Sequence, residues 1–180
     1  MAIGFTTAAI AIITLSPLLF DIILDGRYDD GLAVLPLTLV YCIWFSLFWM
    51  WQTYLWVAEK GKLVFAVTAV GLVTNLALNA LLIPHMELWG AVIATATATF
   101  ACVILVGFAN LYAGGSIDNR IWGLLALPLI ALLPVWLACV ILLAVVAISW
   151  KTNFIFDPDD REIAKGYFAQ MKAKLSGGNK

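Results

Sequence analysis

Four stretches of this chain, Met1 to Phe20, Leu32 to Ala58, Leu63 to His85 and Leu88 to Gly115, contain no Asp, Glu, Lys or Arg. Each runs for 20 residues or more. At a rise of about 1.5 Å per residue, roughly 20 helical residues cross the ~30 Å hydrocarbon core of a bilayer. Lipid offers a backbone no hydrogen-bond partner, so only helices and closed barrels can span it. Barrel strands alternate apolar and polar positions, and no stretch here alternates. The pattern therefore predicts helices, in spite of the many Val, Ile and Thr.

Composition agrees. The 180 residues are 64% hydrophobic and 12% charged, with a mean hydropathy of +1.02. Ordinary globular domains sit near 45–50% apolar and about 25% charged, so a soluble core cannot hide this much apolar surface. These values exclude a water-soluble enzyme and a disordered chain, and the net charge of −1 excludes a basic nucleic-acid binder. The expected fold class is all-α, a polytopic transmembrane helix bundle.

A fifth apolar region, Ile121 to Trp150, reads in two ways. One helix of this length would be about 45 Å long, well over the bilayer thickness. Two arms meeting near Leu133-Pro134 would each be short for a crossing, and Pro128 and Pro134 both interrupt the backbone ladder. Loop charge favours the hairpin. Lys60 and Lys62 mark loop 59–62 as cytoplasmic, Arg120 marks the loop before the fifth region, and the tail holds six further basic residues. Keeping all of these on one side needs an even number of passes after Arg120. The expectation is six membrane segments, about 2–24, 32–58, 63–84, 88–112, 121–133 and 135–150, with residues 151–180 as a cytoplasmic tail. Nine of the ten basic residues then face the cytoplasm of a cell inner membrane.

No basic region precedes the first apolar run, which continues to a full spanning length, so it reads as a helix and not a signal peptide. The lack of flanking residues ahead of it leads to the expectation that the chain continues upstream. In the tail, Asp157 suits a cap and Pro158 a first helical position, while Ile163, Tyr167, Met171 and Leu175 repeat every four residues. An amphipathic helix over about 158–175 is predicted, either docked on the inner leaflet or simply solvated.

Chemistry-bearing constellations are absent from the sequence. Cys42, Cys102 and Cys139 lie in apolar segments without His or acid beside them and read as small buried side chains. His85 is the single histidine, and no CxxC, HExxH, phosphate loop or Ser-His-Asp set occurs. The expectation is no enzyme, no catalytic residue, no metal and no cofactor.

Uncharged polar residues at membrane depth remain. Asn75 and Asn79 stand four apart and share a helix face. An unpaired amide in hydrocarbon is costly, so this face looks toward protein or water. Interhelical hydrogen bonding is the plain reading, and lining of a polar substrate cavity is the functional one. Gln52 and Thr53 sit among Trp44, Trp49, Trp51, Tyr54 and Trp56, which suits either an interfacial belt or a substrate-stacking surface. Asp21, near the outer end of the first segment, either snorkels to the surface or is protonatable within a cavity. Asp25, Arg27, Asp29 and Asp30 read as a solvated outer loop. Thr95, Thr97 and Thr99 with neighbouring alanines give a small-residue surface suited to close helix packing. The substrate-cavity candidates are thus Asn75, Asn79, Gln52 and Asp21.

The run Asn75-Leu-Ala-Leu-Asn79-Ala-Leu-Leu-Ile83-Pro84, followed by Gly90-Ala91 and Ala94-Thr95, resembles the N…LN..LIP…GA..AT stretch of polysaccharide biosynthesis flippases. These are the O-antigen-flippase-like members of the superfamily of multidrug, oligosaccharidyl-lipid and polysaccharide exporters. LSPLLFDIILDGRYDDGLAVLPL resembles the family segment that ends in G-x-x-Y before a new helix, and KTNFIFDPDDREIAKGY resembles the cytoplasmic tail of some members. The similarity spans residues 10 to 170.

The resemblance implies the C-terminal part of a protein of 12 to 14 helices in two lobes, which exports lipid-linked oligosaccharide or polysaccharide precursors by alternating access. It implies as partners the bilayer, the lipid-linked substrate, and the missing N-terminal helices or a second subunit; nucleic acid is not among them. A site for an anionic lipid pyrophosphate wants Arg or Lys at depth. None lies inside these segments, so such residues are expected on the missing helices. The alternatives are a multidrug or lipid II exporter of the same superfamily, or a non-transporting membrane scaffold subunit.

Overall fold

The computed structural model describes residues 2–24, 29–115 and 120–152. Of these, 94% are helical and none is in a strand, which makes the described chain all-α. The elements are α1 (Ala2–Leu24), α2 (Asp29–Val57), α3 (Gly61–Tyr112), α4 (Arg120–Ala126), a 3₁₀ segment (Leu127–Leu132) and α5 (Val135–Thr152). The expected tail helix at 158–175 lies outside the described residues, as do Asp25 and Arg27.

Two helices, α2 and α3, are long and apolar enough to cross a membrane. The six expected segments do not map one to one onto such helices. Segments 63–84 and 88–112 both fall within α3, while 3–18, 121–132 and 135–145 are shorter apolar helices.

Although continuous by hydrogen bonding, α3 is not straight. Glu87 has φ 47° and ψ −119°, the mirror image of the first central residue of a type II turn. That conformation reverses the chain, and arms 61–86 and 88–112 pack against each other. Three contacts record the antiparallel register: Asn75 with Thr95, Val67 with Cys102, and Leu82 with Gly90. Close approach explains both glycines along this seam. A Cβ on Gly90 would lie 2.6 Å from the carbonyl carbon and oxygen of Leu82, and one on Gly71 would collide with Cys102 Sγ. Ala94, Ala96 and Ala98 are buried on the second arm, as small residues must be where two backbones approach this closely.

Helix α2 is the central element, packing against α1, α3 and the 3₁₀ segment. Its buried residues Val40, Ile43, Trp44, Leu47, Phe48, Gln52 and Leu55 recur at helical spacing along one face. Trp44 is the pivot of this stripe. Its ring meets Phe100 of α3 at a centroid distance of 4.8 Å, and its indole Nε1–H donates to the Leu125 carbonyl at 3.0 Å. A 3₁₀ ladder pairs each N–H with the carbonyl three residues back. Leu125 lies in the last turn of α4, where the ladder gives way to this tighter pattern, and Pro128 has no N–H for a carbonyl three residues back. The tryptophan supplies the Leu125 carbonyl with a donor from another helix.

Pro17 poses the same problem in α1, because it cannot bond the carbonyl of Ile13. Here the donor is local: Ser16 Oγ reaches Ile13 O at 3.0 Å. The ladder ends again at Leu133, which is extended (φ −82°, ψ 159°) ahead of Pro134, and α5 begins at Val135.

The chain divides into two compact units, Met1–Cys139 and Val140–Lys180. The first holds α1 to α4, the 3₁₀ segment and the start of α5. The described part of the second is the remainder of α5, an apolar helix running to Thr152.

Three substitutions test these contacts. Trp44→Phe keeps a ring against Phe100 but orphans a buried carbonyl, and should lower stability by about 1–3 kcal/mol in thermal or denaturant unfolding. Gly90→Val sets a side chain against unyielding backbone and should cost about 1–3 kcal/mol. Glu87→Gly relieves a conformation that L-residues rarely adopt and should raise stability by about 1 kcal/mol.

Candidate functional site

The α3 hairpin carries the clearest polar constellation. Asn79 Nδ2 donates to Asn75 Oδ1 at 2.9 Å, Asn75 Nδ2 donates to Thr95 Oγ1 at 3.3 Å, and Thr95 Oγ1 donates to Ala91 O at 2.9 Å. The four groups form one directed chain, from an amide on the first arm to a helix carbonyl on the second. Thr95 joins the arms because its hydroxyl can donate and accept at once. The chain ends unevenly, since Asn79 Oδ1 is buried and has no partner.

Each member is placed by local structure. Asn75 and Asn79 stand one helical turn apart on one face. Thr95 is brought opposite them by the reversal at Glu87 and the close approach at Gly90. All three side chains are half-buried. The arrangement has neither charge nor nucleophile, so what it offers chemically is hydrogen bonding: one enclosed acceptor, and two amides held in a fixed register.

Gln52 belongs elsewhere. It is 4% exposed, on the buried stripe of α2 between Phe48 and Leu55. It lies five residues from the end of α2, whereas Asn75 lies 14 residues into α3. At about 1.5 Å per residue the two are offset by roughly 13 Å along the bundle, so Gln52 does not join the amide pair. Asp21 falls within α1, but its side chain lies outside the described residues.

The aromatic cluster around Gln52 separates into two populations. Trp49, Tyr54 and Trp56 are exposed, while Trp44 is 7% exposed and serves the interior. Thr53 is exposed, yet its hydroxyl is already bonded to Trp49 O at 3.2 Å. Thr7, Thr14, Thr38, Ser46 and Thr68 make the same bond to the carbonyl four residues back. Hydroxyls satisfied in this way need no further polar partner, so a threonine in these helices does not by itself mark a polar cavity.

The cysteines depart from expectation. Cys102 is half-buried against the first arm, but Cys42 and Cys139 are exposed. On helices apolar all round, a small apolar residue carries no signal of which way it faces. Among the described residues, no group of three or more His, Cys, Asp or Glu comes together to hold a metal ion.

Two functional-looking groups escape sequence reasoning. Thr95 is one of several threonines in a small-residue run, and only the hairpin register singles it out. Asn110 donates from Nδ2 to Trp51 O at 3.1 Å, tying the end of α3 to α2, and its Oδ1 is buried without a partner. An asparagine inside the apolar run FANLY was the available signal.

No protein-family model, curated protein or solved structure matches this chain.

The two asparagines should respond differently to replacement. Asn75→Leu breaks the link between the arms and should cost about 0.6–1.7 kcal/mol, the range for hydrogen bonds between membrane helices. Asn79→Leu removes one bond along its own helix together with an unpartnered acceptor, and should change stability by less than about 0.5 kcal/mol. Unfolding of both variants in one detergent makes the comparison.

Proposed function

We propose that this chain forms the C-terminal part of a membrane flippase that exports lipid-linked oligosaccharide or polysaccharide precursors by alternating access. The observation that carries the reading is the motif around Asn75, whose positions each have a distinct structural part. Asn75, Asn79 and Thr95 form the polar chain, Pro84 precedes the reversal, and Gly90 permits the close approach of the arms. A run of such unlike residues is hard to account for as generic apolar helix.

In this reading the chain crosses the inner membrane six times, with α3 contributing two passes and the tail in the cytoplasm. Asn75, Asn79, Gln52 and Asp21 are the residues assigned to the substrate cavity. The export route must hydrate sugar hydroxyls that lipid would strip of water. Further helices, or a second subunit, supply the opposite wall and the basic residues that a pyrophosphate requires.

A second reading, a non-transporting scaffold subunit, draws on one specific fact: Asn75 is already engaged with Thr95. An amide committed to its own hairpin serves packing as well as it would serve a cavity.

Deleting the chain in its host separates the two. Loss of surface glycan, with lipid-linked precursor accumulating on the inner leaflet, is the result expected of the flippase. Normal surface glycan would overturn it. Complementation with Asn79→Ala at unchanged protein abundance should reduce export several-fold if this amide lines the cavity.

A further inference from the structure

Two hollows, of about 260 and 290 Å³, adjoin between the end of α2, the second arm of α3 and the start of α4. Trp51, Gly107 and Ile121 wall both, so the two lie side by side along one groove between these elements. Its ends differ in character. The outer part adds Tyr54, Asn110 and Gly115, and the inner part adds Ile104, Phe108 and Leu125.

The outer part opens at the lysine-bearing end of the bundle. Gly115 sits against Tyr54, since a Cβ there would be 3.1 Å from the phenol ring. Tyr54 is in the last turn of α2, and Ala58 N donates to its carbonyl just before the turn that carries Lys60. Lys60 and Lys62 are both exposed, next to a single opposing charge on Glu59. Trp56 and Tyr112 are exposed at the same end, and amphipathic rings of this kind settle at headgroup level. The other hollow runs from Leu111, next to the end of α3 at Tyr112, to Ile104, eight residues before it, so it reaches roughly 12 Å from that end.

We propose that this groove holds one acyl chain of an anionic phospholipid, with the headgroup at Lys60 and Lys62. Polarity runs in the order that an amphiphile needs: exposed cations at the bundle end, then a phenol and an amide in the wall, then aliphatic and aromatic side chains. A free anion would find nothing to bind in the inner part, and a neutral lipid would gain nothing from the lysines. The proposal rests on the chain being embedded in a membrane but not on what it transports. Loss of the export phenotype would leave it standing, and loss of lipid selectivity would leave the flippase reading standing.

The full chain, purified in detergent, is offered equimolar phosphatidylglycerol and phosphatidylcholine and stripped stepwise under native mass spectrometry. One phosphatidylglycerol per chain should survive after phosphatidylcholine is gone. The double variant Lys60→Gln/Lys62→Gln should lower that retention about 25-fold, since each basic residue near an anionic headgroup is worth about five-fold. Ile121→Trp, which fills the junction of the two hollows, should lower it similarly, and millimolar inorganic phosphate should not compete. Equal retention of the two lipids by the unaltered chain would sink the proposal. So would undiminished retention in the lysine variant, whose substitutions are exposed and leave the fold intact even if Ile121→Trp misfolds. Displacement by phosphate would show a headgroup site without an acyl groove and would overturn it as well.

Discussion

A single hydrogen bond, from the Trp44 indole to the Leu125 carbonyl, sets the geometry on which the rest of the bundle depends. Lipid-facing helices gain little from burying apolar surface against one another, because lipid tails are as apolar as leucine. What distinguishes one packing from another is shape and the fate of each polar group. The Leu125 carbonyl lies where α4 gives way to the 3₁₀ segment ahead of Pro128, and a buried carbonyl left without a donor costs about 1–3 kcal/mol. The central helix answers with its one buried indole, and the same ring rests on Phe100. Three elements are thereby placed by one side chain.

The same rule explains the smaller features. Ser16 satisfies the carbonyl that Pro17 orphans. Threonine hydroxyls fold back onto their own helices, and Asn110 caps a contact between α3 and α2. Against this background, the enclosed and unpartnered oxygens of Asn79 and Asn110 stand out. The Asn79 oxygen ends the polar chain that ties the arms of α3 together, and the Asn110 side chain borders the groove at the lysine-bearing end.

Parts of this were legible from sequence for physical reasons. The helical class is read from long uncharged runs that do not alternate, since a backbone in lipid would have no other choice than helix or closed barrel. The pairing of Asn75 with Asn79 follows from their spacing of four. Other parts were not legible. Trp44 looks like its neighbours Trp49 and Trp56, yet only Trp44 is buried. Nothing local marks it, since its partner carbonyl is 81 residues away. Cys42 and Cys139 read as interior residues and lie outside, because on helices apolar on every face hydrophobicity does not point inward. Thr95 became a site residue only through a reversal at Glu87, where an acidic residue takes a conformation that glycine usually holds.

The sequence by itself determined that this chain is helical and apolar over membrane-spanning lengths, and where proline and charge interrupt it. These are properties of composition and spacing, and no partner is needed to read them. Only the tertiary structure decided which side of each helix faces in, which tryptophan is buried, and that two hollows share walls near the end of α2. Helices apolar on every face carry no stripe to declare their interior. That choice falls to single polar atoms and small residues, whose partners are set by the reversal at Glu87 and the break at Pro128.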